Sequence, residues 1–260
     1  MGDDGDDATT RPDEYEHHPQ SGIIYIVSNI PGPGSQPDDF EMQFSVGCDC
    51  DQECKNNHCS CIRGTPNYVD ARLSTENSNS IIECNFNCTC HRNCGNRLVQ
   101  YGPVDSLVVK NAINSAVGLG LFTMKRIKRN QFICEYAGEV IGIDEAQRRL
   151  EANKINGSMN YVLVVSEYVG DKKITTCLDP AKFGSIGRYA NHSCQPNAAL
   201  VPVRVDITIP KLCLFALRDI EPEEEITFNY AGDTSVHNLS ETPCLCGNSS
   251  CLGYLPHSTV

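Results

Sequence analysis

Short apolar runs separated by turn residues dominate the chain from residue 98 onward. They are four to eight residues long and rich in β-branched and aromatic side chains, a pattern typical of strands. The runs lie at Leu107–Lys110, Phe132–Glu135, Tyr161–Val165, Ala198–Val205, Leu212–Ala216 and Ile226–Tyr230. One helix is predicted at about residues 144–154, where Asp144 can cap the first turn and Ala146 and Leu150 share a face. The pattern predicts an α+β body that is predominantly β, with few helices.

The segment from residue 48 to residue 94 has few large apolar side chains, so ordinary burial cannot hold it together. It contains nine of the 16 cysteines, at Cys48, Cys50, Cys54, Cys59, Cys61, Cys84, Cys88, Cys90 and Cys94. Disulfide pairing would leave one cysteine over, and nine is not a multiple of the four ligands that a zinc ion takes. Three zinc ions need twelve bonds, which six terminal and three bridging thiolates supply completely. The sequence predicts a structural three-zinc cluster, with His58 and His91 outside it.

A second, smaller group of cysteines lies near the end of the chain, at Cys244, Cys246 and Cys251. This group is one ligand short of a tetrahedral zinc site. Three of the remaining cysteines lie in or beside apolar runs and are expected to be buried core thiols: Cys134, Cys177 and Cys213. Cys194 differs because it lies in a polar turn with little core to fill, which makes it the candidate fourth ligand.

The chain carries a formal net charge of −12 over 260 residues, which argues against a general nucleic-acid binder, since such proteins need a basic surface. Half of that charge falls within residues 1–20, where seven acidic residues oppose one arginine. We expect a disordered acidic arm there, and the overall balance suits a basic macromolecular partner. The acidic start is unlike a secretory signal, and the apolar runs are too short to span a membrane. The sequence therefore predicts an intracellular protein whose cysteines hold metal rather than form disulfides.

The segment Arg188–Asn197, with the sequence RYANHSCQPN, resembles the RFxNHSCxPN signature of SET-domain protein-lysine methyltransferases. Gly118–Phe122, Glu135–Ile141 and Glu223–Tyr230 resemble three further motifs of that family, in the family's order. The two cysteine groups resemble the pre-SET and post-SET modules of its Su(var)3-9 subgroup. The resemblance implies a SET fold of short sheets, flanked by a triangular three-zinc module and a small C-terminal zinc module. The expected division is an acidic arm and lead-in at 1–40, pre-SET at 41–100, SET at 101–232 and post-SET at 233–260.

The resemblance also implies S-adenosyl-L-methionine as the methyl donor and a lysine ε-amine as the acceptor. The residues expected to bind this cofactor are Gly118, Leu119, Gly120, Tyr161, Arg188, Asn191 and His192. Leu119 replaces the tryptophan often found in the family, so a backbone contact is expected there without aromatic packing. Tyr230 is expected to point its hydroxyl at the site of transfer. Tyr161 is expected to close over the lysine channel, and Phe228 to leave room for a more highly methylated amine.

By analogy with the subgroup, the expected substrate is the histone H3 tail at lysine nine, with a di- or trimethyl product, on chromosomes in the nucleus. Contact with chromatin is expected to be indirect, with no membrane association and no sequence-specific nucleic-acid binding. One alternative is a different lysine on H3 or on a non-histone protein. Another is a catalytically silent chromatin-binding module, although the presence of Tyr230, Asn191 and His192 argues against silence. A thiol-rich zinc-storage protein would lack the 40% hydrophobic content found here.

Overall fold

The computed structural model of the chain describes residues 22–55, 58–62, 64–75, 80–169, 172–232 and 239–256. The acidic arm expected at residues 1–20 lies outside the described residues. Helix α1 spans Asp38–Glu41 and helix α2 spans Ile143–Asn156, with short 3-10 helices at Val99–Tyr101, Ser115–Val117 and Ile186–Tyr189. The described residues include no helix with the length and apolar character that a membrane crossing requires.

Most of the regular structure consists of short strands, which confirms the predicted β-rich architecture. In chain order the strands are β1 (Ile24–Tyr25), β2 (Ile30–Pro31), β3 (Tyr68–Val69), β4 (Arg72–Leu73), β5 (Ile81–Ile82), β6 (Leu107–Asn111), β7 (Leu119–Thr123), β8 (Phe132–Glu135), β9 (Glu139–Ile141), β10 (Leu163–Val169), β11 (Lys172–Asp179), β12 (Phe183–Gly184), β13 (Asn191–His192), β14 (Ala198–Arg204), β15 (Lys211–Ala216), β16 (Glu225–Phe228), β17 (Leu239–Pro243) and β18 (Tyr254–Pro256).

The largest sheet has the strand order β6-β7-β16-β14-β15-β8, with β5 paired to β14 and β13 paired to β16. Its longest ladder is the antiparallel pair β14 and β15. The side chains of Leu121, Leu212, Leu214 and Ile226 are completely buried in the main core beneath it. We call residues 101–232 the β body; apolar burial is the main source of its stability. Cys134, Cys177 and Cys213 lie buried in its strands, as predicted.

A second sheet, in the order β10-β11-β9-β2, is covered by helix α2. The predicted helix is confirmed, but the predicted cap is wrong: Gly142 is the N-cap residue and Asp144 lies in the first turn. The reason is a close backbone approach, because a Cβ on Gly142 would lie 2.5 Å from the carbonyl oxygen of Gly34. The helix ends at Gly157, whose φ of 62° is the left-handed conformation common after a helix.

Strand β10 begins two residues later than the predicted run Tyr161–Val165 and extends to Val169. Tyr161 therefore lies in the loop before the strand. Strand β11 was not anticipated by the apolar pattern, because its first half is polar. It forms a long antiparallel ladder with β10, and this pairing cannot be read from the sequence of β11 alone.

The cysteine module, residues 48–94, is attached to the β body through the loop between its two groups of cysteines. Tyr68 stacks on Phe215 with ring centroids 6.4 Å apart, and β5 pairs in parallel with β14. The buried carboxylate of Glu83 accepts hydrogen bonds from the Tyr68 hydroxyl at 2.8 Å and the Gln100 amide at 2.7 Å. It also accepts from the backbone N–H groups of Leu98 and Val99, both at 2.8 Å. One buried carboxylate thus joins the module to residues 98–100, which lead into the body.

Candidate active site and metal centres

The glycine segment at the start of β7 has a backbone that other residues would not adopt. Gly118 has a φ of +93°, which disfavours every residue with a side chain. Gly120 lies against Glu225, because a Cβ on it would be 2.5 Å from Glu225 Oε1. Leu119, between them, presents its carbonyl oxygen to Asn191. Glycine at position 120 therefore leaves room for the Glu225 carboxylate in the place where it meets Asn191.

Asn191 is held in place by two acceptors. Its amide Nδ2 donates to the Leu119 carbonyl oxygen at 3.0 Å and to Glu225 Oε1 at 2.8 Å. Glu225 in turn accepts from the backbone N–H of Ile113 through Oε2 at 3.1 Å. Glu225 was not among the predicted site residues, and its only signal in the sequence is its place within the motif Glu223–Tyr230. It orients the amide expected to bind the cofactor.

Three aromatic rings form a continuous wall behind this segment. Phe228 lies between the other two, with ring centroids 4.9 Å from Tyr230 and 5.8 Å from Tyr136. The Tyr230 hydroxyl donates to the carbonyl oxygen of Ala190 at 3.2 Å, and the Tyr136 hydroxyl donates to that of Tyr161 at 3.2 Å. Burial raises the pKa of both Tyr230 and Tyr136 above the usual tyrosine range. Both hydroxyls therefore stay protonated at neutral pH and act as hydrogen-bond donors.

Arg188 holds Tyr161, whose carbonyl oxygen binds the Tyr136 hydroxyl of the wall. Its guanidinium carbon lies 4.5 Å from the ring centroid of Tyr161 and 4.9 Å from that of Tyr189. Its Nε donates to the Pro180 carbonyl oxygen at 3.0 Å, and the residue is buried. The cation–π contacts fix Tyr161, although it lies in a loop rather than in a strand.

His192 contacts both the aromatic wall and a cysteine. Its ring lies 5.3 Å from that of Tyr230, edge to face. Nδ1 accepts a hydrogen bond from the backbone N–H of Tyr230 at 3.3 Å, and Nε2 lies 3.4 Å from Cys194 Sγ. The parallel pairing of β13 with β16 sets this geometry by placing His192 opposite Phe228. The nine residues predicted for catalysis and cofactor binding thus lie in one connected group.

The thiols of the cysteine module form three overlapping groups in which all sulfur atoms lie within 4.8 Å of one another. These groups are Cys48, Cys61, Cys84 and Cys88; Cys48, Cys54, Cys59 and Cys84; and Cys54, Cys84, Cys90 and Cys94. A tetrahedron of thiolates about 2.3 Å from zinc has edges of about 3.8 Å. The sulfur–sulfur distances include 3.6 Å for Cys48 to Cys54 and 3.6 Å for Cys61 to Cys88. The spacing therefore fits zinc.

Three members, Cys48, Cys54 and Cys84, belong to more than one group, as bridging ligands would. Cys50 belongs to none of these groups, but its thiol interacts with those of Cys48, Cys54 and Cys59. Burial raises the pKa of Cys59 to about 12, so a bound cation is needed to hold it as a thiolate at neutral pH. His58 and His91 take no part in any of these groups, as expected.

The C-terminal cysteines meet Cys194 as a fourth group whose sulfur atoms also lie within 4.8 Å: Cys194, Cys244, Cys246 and Cys251. Cys194 Sγ is 3.9 Å from Cys244 Sγ, close to the edge of a zinc tetrahedron. Asn248 strengthens the junction by donating from its amide to the Ser193 hydroxyl at 2.8 Å. Sequence reasoning missed Asn248, because nothing in the local pattern shows that it returns to residue 193.

Residues 118–231 match the SET domain family, and residues 9–97 match the Pre-SET motif family. The chain is similar to histone-lysine N-methyltransferase SETMAR of Bos taurus, with 38% identity over 254 residues, 90% of this chain and 82% of that protein. It is 39% identical over 239 residues to probable histone-lysine N-methyltransferase set-23 of Caenorhabditis briggsae, covering 90% of this chain and 96% of that protein. The Su(var)3-9 protein of Drosophila melanogaster is 32% identical over 249 residues, 89% of this chain and 38% of that protein.

Among solved structures, the methyltransferase domain of human SETMAR superposes with a TM-score of 0.81 at 35% identity, covering 91% of this chain and 90% of that one. KRYPTONITE, in a complex with mCHH DNA, an H3(1-15) peptide and SAH, superposes with a TM-score of 0.68 at 26% identity. That match covers 92% of this chain and 48% of that one. The matched ranges contain the glycine segment, the aromatic wall and the nine cysteines of residues 48–94. The chain belongs to the SET-domain histone-lysine N-methyltransferases with a pre-SET module.

Proposed function

We propose that the protein transfers methyl groups from S-adenosyl-L-methionine to a lysine ε-amine of the histone H3 tail, with lysine nine as the target. The main support is that the aromatic wall directly contacts the segment Asn191–His192. The wall is formed by Tyr136, Phe228 and Tyr230. The net charge of −12 favours a basic peptide, and the bound H3 peptide in KRYPTONITE supports a histone tail as that peptide. The proposed location is the nucleus, on chromosomes, with chromatin contacted through the tail.

The cofactor side of the site is assigned to Gly118–Gly120, Asn191 and His192, with Arg188 and Tyr161 beside them. The glycines allow the backbone to come close to a ligand, and Glu225 fixes the amide of Asn191. S-adenosyl-L-methionine supplies a methyl group on a sulfonium, which is already a good leaving group. The residues of this chain therefore need only bind the cofactor, align it with the lysine amine and keep water away from that amine.

The acceptor presents the main difficulty, since a free lysine has a pKa of about 10.4 and is charged at neutral pH. The aromatic wall presents an apolar surface, which disfavours the ammonium form and so lowers the pKa of an amine placed against it. The Tyr230 hydroxyl would orient the neutral amine so that its nitrogen lone pair points at the methyl group. Tyr161, held by Arg188, would close the channel over the amine and exclude water.

The product is proposed to be di- or trimethyl-lysine. Phe228 is fully buried between two tyrosines and has no hydroxyl with which to hold water beside the amine. A methylated amine can therefore turn and present its nitrogen again. Phe228→Tyr should shift the product toward monomethyl-lysine, because the added hydroxyl would take the space of a methyl group.

Zinc is assigned a structural role, with three ions in the cysteine module and one at the C-terminal group. The overlap of the thiol groups supports Cys48, Cys54 and Cys84 as bridging ligands. The terminal pairs are then Cys61 with Cys88, Cys50 with Cys59, and Cys90 with Cys94. This assignment uses each of the nine thiolates and gives every zinc four ligands.

The test is to incubate the full chain with methyl-labelled cofactor and a library of histone-tail peptides, then map the label by mass spectrometry. We expect label at lysine nine of H3, none on a peptide with arginine at that position, and two or three methyl groups at saturating cofactor. Label on another lysine would replace the proposed target. A folded protein that binds cofactor and labels no peptide or protein would instead be a silent chromatin-binding module.

Two variants separate chemistry from binding in the same assay. Tyr230→Phe should lose most turnover and keep its cofactor affinity, because the hydroxyl acts on the amine rather than on the adenosyl group. Phe228→Tyr should keep turnover of the first methyl and lose the later ones. Monomethyl product alone from the unaltered enzyme at saturating cofactor would contradict the assigned role of Phe228.

A further inference from the structure

The imidazole of His192 lies between two groups that belong to different parts of the site. On one side its Nδ1 is 3.3 Å from the backbone nitrogen of Tyr230. On the other side its Nε2 is 3.4 Å from the sulfur of Cys194. Cys194 belongs to the C-terminal thiol group, and Tyr230 belongs to the aromatic wall. The ring is buried, so neither contact competes with bulk water.

The first contact determines where the ring proton is. A backbone N–H can only donate, so Nδ1 must accept and carries no proton. A neutral imidazole then carries its proton on Nε2, which points it at the sulfur of Cys194. A thiolate bound to zinc retains lone pairs that accept such a hydrogen bond, and outer hydrogen bonds of this kind orient metal ligands.

We propose that His192 is a positioning residue that couples the C-terminal zinc site to Tyr230 by donating to Cys194 and accepting from the Tyr230 backbone. This inference rests on the proposed methyl transfer and on the zinc assignment for Cys194. His192 thus acts on the backbone of Tyr230, while the hydroxyl of Tyr230 is held separately by the carbonyl oxygen of Ala190 at 3.2 Å. The C-terminal zinc site then acts on catalysis through one side chain as well as through the segment that it pins down.

Two substitutions divide the two halves of this contact. In His192→Asn the amide oxygen occupies roughly the place of Nδ1 and can still accept from the Tyr230 N–H, but the side chain is too short to reach Cys194. In His192→Gln the amide nitrogen occupies roughly the place of Nε2 and can still donate to the sulfur, but it leaves the Tyr230 N–H without its acceptor. His192→Ala removes both contacts.

The experiment measures three quantities on the zinc-loaded full chain: the rate at which a chelator removes zinc from the C-terminal site, the cofactor Kd, and kcat. We expect His192→Asn to release that zinc faster by about 10- to 100-fold, while His192→Gln releases it at nearly the original rate. We expect kcat, measured with excess zinc, to fall more in His192→Gln than in His192→Asn. Equal effects of the two variants on both quantities would overturn the coupling.

A measurement on the unaltered protein guards against variants that do not fold. Nitrogen-15 NMR of the zinc-loaded chain should show the His192 ring protonated at Nε2 and unprotonated at Nδ1. The opposite tautomer would overturn the proposal. Neither the tautomer nor the zinc release rate requires methyl transfer, so a protein inactive on every substrate would refute the proposed function and leave this test intact.

Discussion

The cysteine module and the β body bury different materials. The buried cluster of the module consists of seven cysteines and one apolar residue, Ile62, with Cys50 and Cys54 beside them. The main cluster of the body instead includes leucine, isoleucine and phenylalanine side chains, such as those of Leu214 and Phe228, that are almost completely buried. Without metal the cysteine module has little apolar burial to stabilise its fold, whereas the β body has a hydrophobic core of its own.

Because their buried groups differ, the two regions should unfold separately, although they are joined. The junction consists of Glu83, the short strand β5 and the stacked rings of Tyr68 and Phe215. None of these groups belongs to the thiol clusters. Loss of zinc should therefore act first on the module, and loss of apolar volume should act first on the body.

Removal of all zinc by a strong chelator should have the largest effect. We expect amide hydrogen exchange to become fast across residues 48–94, because structural zinc contributes on the order of 10 kcal/mol to modules of this kind. Strand β15 should keep most of its protection, and methyl transfer should stop. Equal loss of protection in β15 would show that the two regions share one cooperative unit; added zinc provides the recovery control.

A bridging thiol should matter more than a terminal one. Cys84→Ser removes a ligand that belongs to all three groups in the module, whereas Cys50→Ser removes one at its edge. We expect Cys84→Ser to release more than one zinc per chain and Cys50→Ser to release at most one, by elemental analysis of purified protein. The same loss from both variants would contradict the assignment of bridges.

The same substitution at two further cysteines should give opposite results. Cys194→Ser should release one zinc of four, leave the body folded and nearly abolish methyl transfer, because the C-terminal segment would no longer be fixed at the active site. Cys213 is buried in β15, and the Cys213→Ser variant should keep all four zinc ions and most of the activity. Four zinc ions and normal turnover in Cys194→Ser would remove that residue from the metal site.

The smallest effect on activity is expected from the core of the body. Leu214→Ala should lower the free energy of unfolding by about 2–5 kcal/mol, since it deletes completely buried apolar volume. The zinc content should stay the same, and activity should persist below the lowered Tm. Release of zinc from the module on this substitution would show that the junction transmits damage from the body.

The fold was predictable where a local pattern carried the signal. Strands β14 and β15 are continuous apolar runs, and their predicted positions differ from the observed ones by one residue at one end. Strand β11 was missed because Lys173, Thr175 and Thr176 break its apolar pattern, and its pairing with β10 is decided across the sheet. The cap at Asp144 was wrong because the tight approach of Gly34 to Gly142 involves residues far apart in the sequence.

The candidate site followed from the motifs, but its supporting contacts did not. Glu225 contacts Asn191 across 34 residues, and Asn248 contacts Ser193 across 55 residues. Such contacts depend on how β13, β16 and the C-terminal segment pack together. The hydrophobic pattern within one segment does not predict that packing. Motif resemblance identifies the residues that face a ligand better than those that hold them in place.

The distance along the chain between Cys194 and its partners has a consequence for synthesis. Cys251 follows Cys194 by 57 positions in the chain. At about 5–20 residues per second, a ribosome needs roughly 3–11 s to make that stretch. During this interval the Cys194 thiol has no complete set of partners, and the cofactor segment next to it is not yet closed. With this zinc assignment, a nascent chain completes its methyl-transfer site only after Cys251 has been made, and scarce zinc or oxidising conditions would act on it within those seconds.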